Sequence, residues 1–178
     1  MSTIRKAARA DLDAVCRIYD QIHTAEERGE AAIGWQRGVY PERETAEAAL
    51  TRGDLFVQEQ NGEIVGTAIL NQTQVDSYAG ANWRYDAPDS EVMVLHTLVV
   101  DPDAAGQGIG TDFVAFYERY ARERGCRCLR MDTNEINAPA RALYARLGYR
   151  EADVVPCDFN GLGQIRLVCL EKRLDAEG

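Results

Sequence analysis

Val92-Met93-Val94-Leu95-His96-Thr97-Leu98-Val99-Val100, followed after Asp101–Ala105 by Gly106-Gln107-Gly108-Ile109-Gly110, decides how this chain folds. The first run is apolar and β-branched and reads as a buried strand. Asp101-Pro102 ends it, because proline cannot donate to a sheet ladder. Beyond the glycines, Ile109, Phe113, Phe116, Tyr117 and Tyr120 recur at helical spacing, so a helix begins in or just after the glycine run. Strand, glycine loop and helix in this order make a phosphate-binding arrangement. Glycine lets backbone N–H groups turn toward one point, and the positive end of the helix dipole lies behind them.

Spacing excludes two common phosphate loops. A nucleoside-triphosphate loop needs Lys-Ser/Thr after its last glycine, and here Thr111-Asp112 follows Gly110. The dinucleotide pattern G-x-G-x-x-G, begun at Gly106 or Gly108, needs glycine at Thr111 or Phe113. What remains is a cradle of backbone amides without lysine or metal, suited to a diphosphate carried on a larger ligand.

A second motif lies downstream, at Asn137-Ala138-Pro139-Ala140-Arg141-Ala142-Leu143-Tyr144-Ala145-Arg146-Leu147-Gly148-Tyr149. Asn137 suits an N-cap, Pro139 falls in the first turn, and Gly148 stands where a helix-ending glycine is expected. Ala140, Leu143, Tyr144 and Leu147 form one apolar stripe. With this helix and the glycine loop together, the sequence resembles the GNAT superfamily of acetyl-CoA-dependent N-acetyltransferases. The family's helix reads Asn-x-x-Ala-x-x-Leu-Tyr-x-x-x-Gly-Tyr/Phe and is matched at every specified position from Asn137 to Tyr149. Its loop, Gln/Arg-x-x-Gly-x-Gly/Ala, is matched at Gly108 and Gly110, while Ala105 occupies the Gln/Arg position and removes one side-chain contact. The close match covers Leu95 to Tyr149.

The resemblance implies an α/β fold, with a mixed, largely antiparallel sheet of about seven strands flanked by about four helices. It implies acetyl-CoA as cosubstrate, no metal, and direct attack by an amine in a ternary complex. The cofactor would meet Gly106, Gln107, Gly108, Ile109, Gly110 and Thr111 at the loop, Leu98, Val99 and Val100 on a bulged strand, and Asn137 and Tyr144 on the later helix. In this reading the Leu98 N–H receives the acetyl carbonyl, and Tyr144 protonates the leaving thiolate. Asn137 has a capping role that is compatible with touching the ligand. Trp35, Tyr40, Trp83 and Tyr85 lie in the two loops that would border an acceptor pocket.

An amine must be neutral to attack. For one with a pKa near 10, reaching that form at pH 7 costs roughly 4 kcal/mol. A base or a desolvating pocket must supply part of it. Strand alternation puts His96 on the face of Val94 and Leu98, which makes it one candidate base. Glu91 is a second and water a third; His23 reads as a surface residue at a helix end. A non-catalytic acyl-CoA-binding module of the same fold stays open, as does a different nucleotide-binding α/β protein.

The 178 residues read as one domain, with 46% hydrophobic and 28% charged residues. No apolar run approaches the roughly 20 residues of a membrane helix. Met1–Lys6 lacks the apolar stretch of a secretory signal, and a cytoplasmic location is expected. The formal net charge of −9 opposes a nucleic-acid partner and suits a small-molecule or peptide amine. A homodimer is left open. Cys16, Cys126, Cys128, Cys157 and Cys169 lack zinc-site spacing and read as small apolar residues.

Outward from the central motif, Ile4 opens a first strand and Leu12, Val15, Tyr19 and Ile22 mark an amphipathic helix. Gly29–Pro41 is a loop, and Glu42–Arg52 a second helix ended by Gly53. Leu55–Gln60 and Glu63–Leu70 flank Asn61-Gly62, a hairpin signal. Asn71–Ser90 is a polar loop. Cys128–Asp132 reads as a strand, and Val154–Phe159 pairs with Gln164–Glu171 around Asn160-Gly161. Asp175–Gly178 reads as an acidic tail.

Overall fold

Asn61 and Gly62 take φ of 53° and 83°, the left-handed pair that closes a tight hairpin. It joins β2 (Leu55–Gln60) to β3 (Glu63–Asn71). The computed structural model, which describes residues 2–158 and 161–175, builds one seven-stranded sheet on this hairpin. β1 (Ser2–Lys6) pairs with β2, and β4 (Val92–Val100) pairs with β3, both antiparallel. β5 (Cys128–Asn134) runs parallel to β4 and antiparallel to β7 (Gln164–Arg173), whose outer neighbour is β6 (Arg150–Asp158). The order β1-β2-β3-β4-β5-β7-β6 is the expected mixed sheet with one parallel pair. A parallel pair needs a crossover, and α3 (Ile109–Glu123) supplies it.

Helices cover both faces. α1 (Leu12–Glu27) and α2 (Arg43–Arg52) pack Val15, Ile18, Ala46 and Ala49 onto Val57, Ile69 and Val99. On the other face, α3 and α4 (Ala138–Arg146) pack Phe113, Tyr117 and Tyr144 onto Met93, Leu95, Leu129 and Met131. Phe113 is fully buried, and its loss as Phe113→Ala corresponds to about 3–5 kcal/mol. Segment 72–91 covers Val92, Val94, Cys128 and Cys169 of the sheet, and two buried, cross-strand charges hold it there. Glu171 accepts from the backbone N–H groups of Arg84 and Tyr85 and from Arg150. Its partner Arg130 donates to Gln74 Oε1 and to the Tyr85 carbonyl.

Several boundaries move. The first helix runs on to Glu27, and β6 begins at Arg150, before the expected Val154. Phe159 and Asn160 of the last turn, and Ala176, Glu177 and Gly178 of the tail, lie outside the described residues. His23 is corrected most plainly. α1 continues past it and the loop that follows folds back over it, so His23 is 3% exposed and its Nε2 bonds to the Pro41 carbonyl at 2.9 Å. Four of the cysteines are buried and Cys16 is half-buried, all of them free. Among the described residues, no helix is long and apolar enough to cross a membrane, and no cluster of three or more His, Cys, Asp or Glu could hold a metal ion.

Candidate active site

The parallel ladder between β4 and β5 stops at Leu95↔Met131, although β4 continues to Val100 and β5 to Asn134. The two strands part there and leave a cleft. On its other edge β4 is irregular. Ile69 opposes His96 while Thr67 opposes Val99, and Thr97 adopts φ of 50°. One extra residue is thereby fitted into β4, which makes a bulge.

The bulge corrects one expectation. It reverses the alternation, so Leu98 packs with the Met93 and Leu95 cluster beneath α3 and α4. His96 does not share that face with Leu98. It bonds through Nε2 to Asn71 Oδ1 at 2.8 Å, and Asn71 donates in turn to Asp54. Burial lowers the His96 pKa to about 4, so the ring is neutral at physiological pH.

A cleft opens where the strands part. Leu95, His96, Thr97 and Leu98 line it from β4, Asp132 to Asn134 from β5, and Asn137, Ala140 and Tyr144 from the start of α4 and its inner face. Ile165 and Leu167 of β7 close the far side. The loop after α1 roofs it. Gly34 sits so close to Asn134 that a β-carbon there would lie 2.3 Å from Asn134 Nδ2. At the other strand the Tyr40 hydroxyl meets the Thr97 hydroxyl. Glu26 anchors the roof by accepting from the N–H groups of Ile33 and Gly34, both at 2.8 Å, and His23 holds Pro41.

Of the four loop aromatics, Trp35 and Tyr40 line this cleft. Their rings meet edge to face with centroids 5.8 Å apart. Trp83 and Tyr85 do not line it. Trp83 packs on Tyr78 and beneath the Arg130 guanidinium, and Tyr85 packs against the Val92 and Val94 cluster. Glu91 is also absent from the cleft. It is exposed in the turn before β4, at the end of the strand away from the bulge.

One site residue escaped the sequence reading. Asp132, the last residue of the expected strand Cys128–Asp132, is the one carboxylate among the described residues lining the cleft. Burial raises its pKa to about 6, against the pull of a hydrogen bond donated by Tyr78. The signal available was an acidic side chain at the end of an apolar strand just before the Asn137 motif. Tyr144 is 7% exposed, and burial together with the nearby Asp132 charge raises its pKa, so its hydroxyl keeps its proton.

The glycine loop lies at the N-terminus of α3. Gly108 is the N-cap, and its carbonyl accepts from the Asp112 N–H at 2.9 Å. The earlier N–H groups of such a helix end have no intrahelical acceptor. Gly106 and Gly108 have φ of 81° and 77°, and nothing stands within 4 Å of where their β-carbons would be. The loop thus presents open, exposed backbone that fits a diphosphate. Gly110 differs: its β-carbon would lie 3.3 Å from Leu143, the residue before Tyr144. It brings the loop against α4. Asn137 caps α4 by accepting from the Ala140 N–H at 3.2 Å and also lines the cleft.

Residues 13–149 match the family model described as the acetyltransferase (GNAT) family. An uncharacterized N-acetyltransferase of Methanocaldococcus jannaschii is 30% identical over 86% of this chain, which spans 62% of that relative's length. A GNAT-family acetyltransferase structure from Streptococcus agalactiae superposes with a TM-score of 0.81 at 20% identity, covering 98% of this chain and 96% of that one. The structure of yncA from Salmonella typhimurium with its cofactor acetyl-CoA superposes with a TM-score of 0.69 at 22% identity, over 100% of this chain and 96% of that one.

Proposed function

The chain belongs to the acetyltransferase (GNAT) family, and on that premise we propose that it transfers an acetyl group from acetyl-CoA to an amine. The observation that carries the proposal is the cleft between β4 and β5. It holds a carboxylate, Asp132, and a tyrosine, Tyr144, and the glycine loop lies near it through the approach of Gly110 to Leu143, the residue before Tyr144.

In this reading the N–H groups around Gly106–Thr111 hold the diphosphate, and the main chain of Leu98, Val99 and Val100 pairs with the pantetheine arm. The departure of β4 from β5 supports the second assignment, since parting strands expose backbone that a ligand can satisfy. The Leu98 N–H receives the acetyl oxygen as negative charge develops there. Asp132 takes the proton of the attacking amine; a carboxyl titrating near pH 6 is largely ionised at pH 7 and still a useful base. The amine nitrogen bonds to the acetyl carbon, the carbon–sulfur bond breaks, and Tyr144 gives its proton to the sulfur. His96 shapes the wall as a neutral ring, since a group protonating near pH 4 is a weak base at pH 7. Asn137 does double duty as α4 cap and cleft wall.

Incubation with acetyl-CoA and a panel of amines, with release of free CoA followed, tests the proposal. Amine-dependent CoA release and an acetylated amine are expected. Tight CoA binding without transfer to any amine would reduce the chain to an acyl-CoA-binding module.

A further inference from the structure

We propose that the acceptor is a primary amine on an apolar, uncharged body, with no carboxylate beside the nitrogen. The inference rests on the acetyl-transfer reading above and narrows it. Its basis is the charge and polarity of the cleft wall.

The wall that would meet the acceptor presents Ile33, Trp35 and Tyr40 from the roof and Ile165 and Leu167 from β7, with the neutral polar side chains of Thr133, Asn134 and Asn137 beside them. Asp132 supplies its one carboxylate, and no lysine or arginine lines it among the described residues, which include every lysine and arginine of the chain. Arginines that adjoin the wall in sequence are committed elsewhere. Arg166, between Ile165 and Leu167, pairs with Glu135 at 3.0 Å. Arg130, two residues before Asp132, is bonded to Gln74 and the Tyr85 carbonyl and lies over the Trp83 ring. Arg141, beside Ala140, pairs with Glu151 at 2.8 Å. Arg37, two residues from Trp35, is held by Glu27 and Asp20.

An ammonium entering this cleft exchanges water for the Asp132 carboxylate and the rings of Trp35 and Tyr40. A carboxylate on the same carbon would lose its hydration with no cation to meet it, and would face Asp132 besides. The wall therefore selects against free amino acids and for amines flanked by neutral groups. Two sources share that chemistry: small arylalkyl amines and the N-terminus of a peptide, whose α-carbon bears an amide.

Three probes of one shape separate the cases: β-phenylethylamine, L-phenylalaninamide and L-phenylalanine. Transfer from acetyl-CoA is measured for each, at equal concentrations of neutral amine. Binding of each to the CoA-loaded protein is measured by calorimetry. Phenylalanine is expected to show a kcat/KM at least about 100-fold below the better of the other two, with binding weakened at least about 10-fold. Preference for phenylethylamine assigns the small-amine source, and preference for the amide the peptide-like one. Phenylalanine acetylated or bound as well as either neutral probe overturns the inference and leaves the transfer reading intact. Failure of both neutral probes to bind at millimolar concentration overturns it equally. Selective binding of the neutral probes without transfer upholds the acceptor class and sinks the transfer reading instead.

Discussion

Tyr78 donates its hydroxyl hydrogen to Asp132 Oδ2 at 2.5 Å, linking the middle of segment 72–91 to the floor of the cleft. The Tyr78 ring is 1% exposed, and Trp83 and Arg130 pack over the same region of the sheet. A carboxylate in a low-dielectric site resists ionisation, and a donated hydrogen bond partly offsets that resistance. Asp132 is thereby set at about 6, where it can accept a proton near neutrality.

Asp132→Asn is expected to lower kcat by roughly 10²-fold or more while the fold persists. The wild type should gain activity as pH rises through about 6, as Asp132 ionises, and the variant should lose that limb. Stability should move the other way. The folded pKa lies above the unfolded one, so the folded chain binds the extra proton between about pH 4 and 6 and its stability falls as pH rises through that window. The Asn variant should therefore match or exceed the wild-type melting temperature at pH 8. A pH–rate profile unchanged in the variant would falsify the assignment.

Tyr78→Phe removes the hydrogen bond and keeps the ring. Since that bond lowers the Asp132 pKa, the acid limb should shift to higher pH. At pH 6 the variant should be slower than the wild type, and the two should converge by pH 9. A uniform loss of activity with the limb in place would mean that Tyr78 serves packing alone.

His96 should act on stability. Its pKa is lowered to about 4 from an ordinary 6.5, so the unfolded chain binds the extra proton between those values. This contribution is fully present above about 6.5 and is lost as pH falls through about 4. Asp132 acts in the opposite sense over much of the same range, so each effect is read as a difference between wild type and single variant. His96→Asn should flatten the difference for His96 and leave the rate limb near pH 6 in place. Melting curves and pH–rate profiles from pH 4 to 8 check both; loss of the limb would return His96 to the role of base.

Much of this architecture was legible in short-range signals. The Asn61-Gly62 turn, the Asn137 cap, and the apolar run ended by Asp101-Pro102 all act within a few residues of the chain, and local backbone chemistry decides them. What escaped reading depends on contacts across the sheet. The bulge at Thr97 reflects the register of β3 against β4 and breaks the period-2 alternation by which His96 and Leu98 were placed together. Asp132 becomes a site residue because β4 and β5 part beside it and Tyr78, far away in sequence, covers it. His23 is buried because the roof loop folds back over α1. Of four aromatics equally suited to an acceptor pocket by type, only the path of the chain separates Trp35 and Tyr40 from Trp83 and Tyr85.

Gly108 and Gly110 should give different phenotypes. At Gly108 a β-carbon meets nothing, but φ of 77° strains any L side chain, and the added group would stand over the open N–H groups. Gly108→Val should weaken CoA at least about 10-fold with a modest loss of stability, on the order of 1–2 kcal/mol. Gly110→Val instead meets the Leu143 side chain at 3.3 Å, which must give way, with the second Val methyl adding to the crowding against α4. It should lower the melting temperature more, and disturb turnover through Tyr144. Calorimetric CoA affinity and melting curves on both variants decide this, and equal CoA affinity in Gly108→Val and wild type would remove the cradle.

Tyr144→Phe tests the other end of the reaction. The ring is buried beside Tyr149, their centroids 6.1 Å apart, so phenylalanine keeps the packing and removes only the hydroxyl. Burial and the Asp132 charge hold that hydroxyl protonated, the state a donor to a departing thiolate needs. The need arises only as the carbon–sulfur bond breaks. Loss of the hydroxyl should therefore lower kcat and kcat/KM together, by about 10²-fold, with the affinity for acetyl-CoA unchanged. An acyl donor with a more acidic thiol leaves without that proton, so the deficit of the Phe variant should shrink as the thiol pKa falls. A deficit independent of the leaving group, or wild-type turnover when chemistry limits the rate, would leave Tyr144 as a packing residue of α4.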